Sequence, residues 1–418
     1  MEQLNFLSED EVRALQRDFG TPLYVYDQAS LEARAAAVAG VPNAYGVTAR
    51  YAMKALPTAA VIGVLTDAGL HIDASSGYEA ERALRAGVEA GRIQITAQEL
   101  PKNLGELVRL VVGFNACSLH QLQAYGSQFP GTEVSIRVNP GLGSGHSNRT
   151  NVGGPSASFG IWHEHLDGVL AAAAEHRLRI AAMHTHIGSG SDPDVWMRCA
   201  ELSLSIVAHL TEVRTLSLGG GFKVGRMPGE ASTDIAGVGE RIRAAFEGFA
   251  AETGRALHLE IEPGTYLVAN AGTLICTAAD VVDTGAGGRR FIKLDGGMTE
   301  ILRPSLYGAQ HPIVSVPAGG PARETRGYIV VGHCCESGDT LTPEPGNPEG
   351  LLERELFETR IGDAVVIEGA GAYCAGMSAK NYNSFPECAE VLRVGPGNYK
   401  LIRRRQTLDQ ILVNEVLD

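Results

Sequence analysis

The sequence has no basic stretch of useful length, no long apolar run and no regular cysteine pattern, and each absence removes a class of protein. Lysine and arginine number 35 against 48 aspartates and glutamates, a formal net charge of -13. A nucleic-acid partner needs a broad basic face, which this balance argues against. The tight cluster Arg403, Arg404 and Arg405 reads as a solvated strand end. No run approaches the apolar length of a membrane span. The start, MEQLNFLSEDEVRALQRDFG, lacks the basic-then-apolar pattern of a secretory signal, so a cytoplasmic protein is expected. Seven cysteines is an odd number without regular spacing, which speaks against a secreted disulfide framework. Adjacent Cys334 and Cys335 could pair with each other or form half a metal site, but no second Cys/His pair stands at zinc-finger spacing. Internal repeats and low-complexity tracts are missing as well.

What is present is an ordinary globular composition on a chain of 418 residues, longer than one core usually organises, so two domains are expected. From about residue 45 to 263, short apolar strands alternate with longer segments whose apolar residues recur every three or four positions. The strands read as 45–54, 71–75, 92–96, 112–118, 134–139, 180–186, 214–219 and 258–262. Eight strand-then-helix units imply a (β/α)8 barrel. After residue 265 the segments become short, β-branched and separated by Gly, Pro and Asp, as in TLICTAADVVDTG and CAEVLRVG, which predicts an all-β domain. The expected division is 1–30 as a segment joining that β domain, 31–268 as the barrel and 269–418 as the β domain. One connection, PGLGSGHSNRTNVGGPSASFG (140–160), is long, polar and Gly-rich, as lids and binding loops are.

In such a barrel, functional groups sit at the carboxyl ends of the strands. Lys54, in YAMKA, falls at one of them. It reads either as an amine for a Schiff base with an aldehyde cofactor or as a lysine snorkelling at a strand end. His184 and His186, in HTHIGSG, alternate to one side. That could mean metal ligands, or one packed histidine and one imidazole laid on a cofactor ring, the reading the lack of a carboxylate in the motif favours. Gly219, Gly220 and Gly221 let backbone N–H groups approach a phosphate. They and EPG (262–264) follow strands seven and eight, where this fold places phosphate sites. Glu262 beside a pyridine nitrogen would keep it protonated; alternatively it is an exposed barrel-end carboxylate. In the β region, Cys335 offers a thiol proton and Glu336 an ammonium partner, unless both are loop residues. Tyr373 supplies a phenol for phosphate or substrate, and Arg303 a guanidinium for a carboxylate, unless it is a surface arginine before a turn.

Together these motifs resemble a known family. YAMKA (51–55), HTHIGSG (184–190), GGGF (219–222), EPG (262–264), DGGMTEILRPSLYGAQH (295–311), CESGD (335–339) and GAYCAGMSAKNYNS (371–384) run in the order of the fold-type III, alanine-racemase-like PLP-dependent decarboxylases, and are most similar to the diaminopimelate decarboxylases. RVNPGLGSGHSNRTNVGGPSASFGIW (137–162) and LIRRRQTLDQIL (401–412) look like one bacterial branch. The resemblance implies pyridoxal 5'-phosphate held by Lys54, with His186 stacked on the ring and Glu262 at its nitrogen. Ser189, Gly220, Gly221, Gly264 and Tyr373 would lie around the phosphate. Arg303, Tyr307, Glu336 and Tyr373 would bind substrate. Cys335 and Glu336 would enter the neighbouring subunit's site, so a homodimer is implied, with Cys335 as proton donor. No metal, nucleic acid or membrane is expected. Two positions depart from the family pattern: Thr265 stands where EPGR has arginine, and NSFPEC (383–388) lacks the arginines of an NSRPRP-like run. Decarboxylation of D-lysine, D-ornithine or a carboxylated polyamine or siderophore intermediate therefore stays open beside diaminopimelate. An amino-acid racemase is disfavoured by Glu262, and a non-catalytic PLP-binding homologue by the presence of Lys54 and Cys335.

Overall fold

The computed structural model describes residues 2–143, 151–188, 193–321 and 323–416. It divides into two compact units. One comprises Met1–Leu31, Gly225–Glu230 and Val268–Asp418; the other comprises Glu32–Val224 and Ala231–Leu267. The chain opens with helix Glu9–Phe19, started by a capping box in which Ser8 and Glu11 exchange side-chain and backbone hydrogen bonds. Strand β1 (Leu23–Asp27) follows. Both belong to the first unit.

The second unit is a closed parallel barrel. Its strands are β2 (Val47–Ala52), β3 (His71–Ala74), β4 (Ile93–Ile95), β5 (Gly113–Ala116), β6 (Glu133–Asn139), then after the two-residue β7 (Ile161–Trp162) come β8 (Arg179–His184), β9 (Thr215–Ser217) and β10 (His258–Ile261). Neighbours pair in parallel from β2 through β6, then β8, β9 and β10, and β10 returns to β2. β7 pairs in parallel with the last two residues of β6. The eight-strand barrel with a separate strand-rich unit is the fold the alternating pattern predicts.

Helices connect the strands, and their ends follow local chemistry. Ser76 and Ser118 accept from the N–H three residues on, starting Gly77–Arg85 and Leu119–Gln128. Asp234 starts Ile235–Thr253, and Gly254, at φ +72°, ends it. The long connection after β6 is tied at its root by Asn139. Its amide donates to Gly154 O, and its oxygen accepts from Gly141 N and Gly154 N. Residues 144–150 of that connection lie outside the described residues.

Alternation along β10 puts His258, Glu260 and Glu262 on one side. His258 Nε2 meets Thr48 Oγ1 at 2.8 Å, and Arg50 grips Glu260 with two bonds of 2.7 and 3.1 Å. A polar column thus leads along the strand to Glu262. Charges so deeply placed are tolerated because they are paired.

The first unit is built on a sheet in which β1 lies between β11 (Gly272–Asp283, antiparallel) and β19 (Ala389–Gly395, parallel). Along the chain between these two come β12 (Arg290–Leu294), β13 (Ile313–Val316), β14 (Thr325–Val331), β15 (Pro343–Glu344), β16 (Asn347–Leu351), β17 (Arg354–Phe357) and β18 (Ala364–Ile367); β20 (Asn398–Arg403) closes the edge beyond β19. Val12, Leu15, Leu23, Ile275 and Val366 share one buried core, which fastens the first helix to the sheet. Glu11 adds polar ties, accepting from Arg393 Nε at 3.1 Å and Tyr399 Oη at 2.9 Å. Among the described residues no helix is long and apolar enough to cross a membrane.

Candidate active site

Seven of the eight expected barrel strands end one or more residues sooner than their composition suggests, and two of these differences decide where site residues sit. β2 stops at Ala52, and Met53–Ala55 form a single 3-10 turn, so the exposed Lys54 sits on a turn just beyond the strand. β8 stops at His184, so His186 lies beyond the strand rather than alternating along it. Beyond β8, Gly188 adopts φ +139°, and beyond the Lys54 turn Pro57 lacks the N–H a ladder needs.

His186 is turned toward the triple-glycine loop, where Gly220 N donates to its Nδ1 at 3.3 Å. A Cβ on Gly219 would come within 2.7 Å of the His186 Cβ, and one on Gly220 within 2.4 Å of Glu262 O. Gly219 (φ +66°) and Gly221 (φ +109°) also adopt backbone angles that favour glycine. The glycines are therefore required by close approach. Trp196 Nε1 holds the loop through Gly220 O at 3.1 Å. Gly264 packs its turn against Ala52 and Ala55, the residues flanking the Lys54 turn, where a Cβ would stand 3.3 Å from each of their Cβ atoms.

Glu262 is buried beside these turns. It accepts from His184 Nε2 at 2.9 Å and from Ser217 Oγ at 3.0 Å. Burial alone would raise its pKa, but the interactions with His184, and then the nearby charge of Lys54, outweigh burial and hold it below the usual carboxylate range. His186 adds no charge to that balance, since burial and then Arg137 and Lys54 hold its imidazole well below its ordinary value and therefore neutral. Asp73, at the end of β3, shifts the other way: burial and then the Glu262 charge raise it to about 7. The barrel end thus combines one ionised carboxylate with one that titrates near neutrality.

Among the described residues of this unit six buried side-chain polar atoms lack protein partners, and three of them, His184 Nδ1, Asp73 Oδ1 and Arg137 Nη2, belong to side chains that interact with Glu262 or His186. Buried polar groups are normally bonded, so such a set marks a place for another group. An amine on an exposed turn, glycine amides without side chains and a fixed anion suit an aldehyde, a phosphate and a pyridine nitrogen respectively, so the residues fit pyridoxal phosphate. Ser189 lies outside the described residues. Among the described residues no cluster of His, Cys, Asp and Glu suits a metal. Sequence patterns had not singled out Asp73, Arg137 or Ser217. A charge or hydroxyl at the end of an apolar strand was the available signal, but many strand ends carry one.

The remaining candidates lie in the β unit. Helix Arg303–Tyr307, ended by Gly308 at φ +62°, carries Arg303 and Tyr307, both half-buried. Arg303 Nε donates to His311 Nε2 at 3.3 Å. Tyr373 adopts φ +55°, a conformation that costs a bulky residue energy and is usually kept at functional positions. Cys335 is exposed; its N–H donates to Asn383 Oδ1 at 2.8 Å, from a turn in which Asn381, Asn383 and Ser384 all have positive φ. Glu336 is exposed and accepts from Gly338 N. Cys334 N donates to the buried Asp339, which also accepts from Met298 N. In the NSFPEC run, Phe385 stacks on His333 with ring centroids 3.6 Å apart.

Comparison with known proteins agrees with this geometry. Residues 29–269, more than half of the chain, match the pyridoxal-binding domain of the pyridoxal-dependent decarboxylase family. The diaminopimelate decarboxylase of Streptomyces coelicolor is 37% identical, with 98% of this chain and 92% of that protein covered. That of Escherichia coli K12 is 35% identical, covering 98% and 97%. A crystal structure of a diaminopimelate decarboxylase superposes with a TM-score of 0.92 at 34% identity, over 99% of each chain. That of the Helicobacter pylori enzyme complexed with L-lysine superposes at 0.84 with 26% identity, over 96% and 98%. The chain belongs to the pyridoxal-dependent decarboxylase family and is a carboxy-lyase that uses pyridoxal phosphate.

Proposed function

We propose that this enzyme removes carbon dioxide from meso-diaminopimelate to give L-lysine. Full-length likeness to curated diaminopimelate decarboxylases supports the substrate. The observation that carries the chemistry is the buried Glu262 carboxylate, held ionised by His184 and Ser217 at the carboxyl end of β10. When bound, pyridoxal phosphate supplies a protonated ring that accepts the electron pair left as the carboxylate departs.

The residues divide the remaining work. Lys54 holds the cofactor through its amine. The amides around Gly220 and Gly221, with Gly264, Ser189 and Tyr373, surround its phosphate. Glu262 keeps a proton on the pyridine nitrogen, and the neutral His186 offers a flat, uncharged face to the ring. Arg303 and Tyr307 bind the carboxylate remote from the reacting carbon. In a homodimer, Cys335 and Glu336 serve the neighbouring subunit. As the Cα–carboxyl bond breaks, carbon dioxide leaves without the bonding pair, and a proton from the Cys335 thiol takes its place on the α-carbon. Water then returns a proton to the thiolate. Glu336 holds the distal ammonium.

The test is kcat/KM for meso-diaminopimelate, D-lysine and D-ornithine on one preparation, with carbon dioxide and product chirality followed together. Preference for meso-diaminopimelate by at least about 100-fold is expected, because a site built for a carboxylate rejects substrates that leave its polar groups unpaired. A preference for D-lysine or D-ornithine overturns the substrate assignment. Inversion without carbon dioxide would make the enzyme a racemase.

A further inference from the structure

Residues Gly225–Glu230 belong to the β unit, although the sequence on either side of them belongs to the barrel. Arg226 lies in this short segment. Its own N–H and that of Met227 both donate to Glu230 Oε2, at 2.9 and 3.2 Å, and Asn270 Nδ2 holds Gly225 O at 3.0 Å. The segment is thereby fixed to its unit, with the Glu230 carboxylate engaged by the turn's own amides.

The Arg226 side chain is held along its length. Nε donates to Gly369 O at 3.0 Å. The stem lies against Gly369, where a Cβ would come within 3.0 Å of both Cγ and Cδ. Gly369 also has φ +63°, so both space and backbone angle favour glycine there. Beyond this anchor, Nη2 is buried and has no acceptor.

The preceding residue anchors the second guanidinium. Glu368 O accepts from His311 Nδ1 at 3.0 Å. A carbonyl only accepts, so the ring proton is on Nδ1, and Nε2 presents its lone pair to Arg303 Nε at 3.3 Å. Burial, then Arg303 and Arg226, push the His311 pKa well down, which keeps the ring neutral and suited to that role. Arg226 and Arg303 therefore hang from two consecutive backbone carbonyls, one directly and one through an imidazole. Burial and then Arg303 also lower the Arg226 pKa, yet a guanidinium stays charged in water-like pH ranges. The bonds described for these two side chains go to neutral acceptors, and neither forms an ion pair among the described residues. Two neighbouring cations, one with a buried orphan donor, make a site for an anion with at least two oxygens.

We infer that Arg226 is a second specificity-determining guanidinium that binds, beside Arg303, the substrate carboxylate remote from the bond that breaks. This rests on the diaminopimelate reading and adds a residue to it. The pair favours a diamino acid with two carboxylates over one with a single carboxylate, because the latter leaves Arg226 Nη2 buried and unpaired.

Arg226→Gln and Arg226→Lys test it, with wild type alongside. Arg226→Gln is expected to lower kcat/KM for meso-diaminopimelate about 100-fold, mainly through KM, and to cut the ratio of meso-diaminopimelate to D-lysine by at least about tenfold. Arg226→Lys keeps the charge without the fork and should recover part of that ratio. Thermal melting of both variants shows whether they fold. A purely structural arginine would lower both substrates together and leave the ratio in place, which overturns the inference while the wild-type substrate reading stands. If wild type fails on meso-diaminopimelate, the reading itself fails. Calorimetric titration with pimelate then decides the anion site: binding weakened at least about tenfold in Arg226→Gln sustains it, and equal or absent binding overturns it.

Discussion

Asp73 is buried at the end of β3 with a folded pKa of about 7, raised first by burial and then by the Glu262 charge. Its ordinary value is 3.8. Between those two values the folded protein holds a proton that the unfolded chain has released, so this group's contribution to stability is complete below about 3.8 and is lost as pH rises through about 7. Glu300 and Glu368, also raised to about 7, act in the same direction in the other unit. The cofactor-free enzyme should therefore lose unfolding free energy between about pH 5 and about pH 8. Asp73→Asn is expected to remove on the order of 1 kcal/mol of that loss in urea titrations at the two pH values. An identical loss in wild type and variant would show that Asp73 is already ionised when folded. Individual residues differ in how far their sequence context reveals them. Lys54, His186, Glu262 and the three glycines stand in short, patterned motifs at predicted strand ends. The partnership of Glu262 with His184 does not, because it joins residues 78 positions apart on different strands. The stack of Phe385 on His333 is likewise a three-dimensional fact, visible in sequence only as a departure from an expected arginine.

The repeating elements of the barrel were readable because each strand is a short apolar run and each helix keeps a three- and four-residue rhythm. All eight barrel strands appear, displaced at their ends by a few residues. The ends shift where glycine takes over the backbone: β9 is three residues long since Gly219 turns away at φ +66°. Elements without a clear period escaped. β7 and β15 have two residues each, and β16, NPEGL, is polar enough to pass for a turn. Helix Arg303–Tyr307 is too short to show an amphipathic stripe, yet it carries two substrate candidates. The placement of Arg226 had no signal at all in its local sequence. Its segment joins the β unit through Asn270 and Gly369, partners 45 and 143 residues away.

The molecule as a whole was readable in class, since the change from alternating α and β to short β-branched segments near residue 265 coincides with a change in architecture. Its assembly has to be argued from family likeness, because Cys335 and Glu336 are exposed on the single chain. The homodimer reading predicts complementation. Lys54→Ala and Cys335→Ala chains should each be inactive, and mixing them after reversible dissociation should restore about a quarter of wild-type activity, as random pairing leaves one intact site in half of the dimers. Mixed chains that stay inactive, with exchange verified by mass, would place both residues in the same subunit's site.

All of the proposed chemistry depends on one covalent attachment. Borohydride reduction of the pyridoxal phosphate-loaded enzyme, followed by peptide mapping, reads it out. The geometry at the barrel end predicts a single phosphopyridoxyl group, on Lys54 in the peptide containing YAMKA. A label on Lys223 or another lysine, or no label on a protein that still releases carbon dioxide, would contradict the assignment.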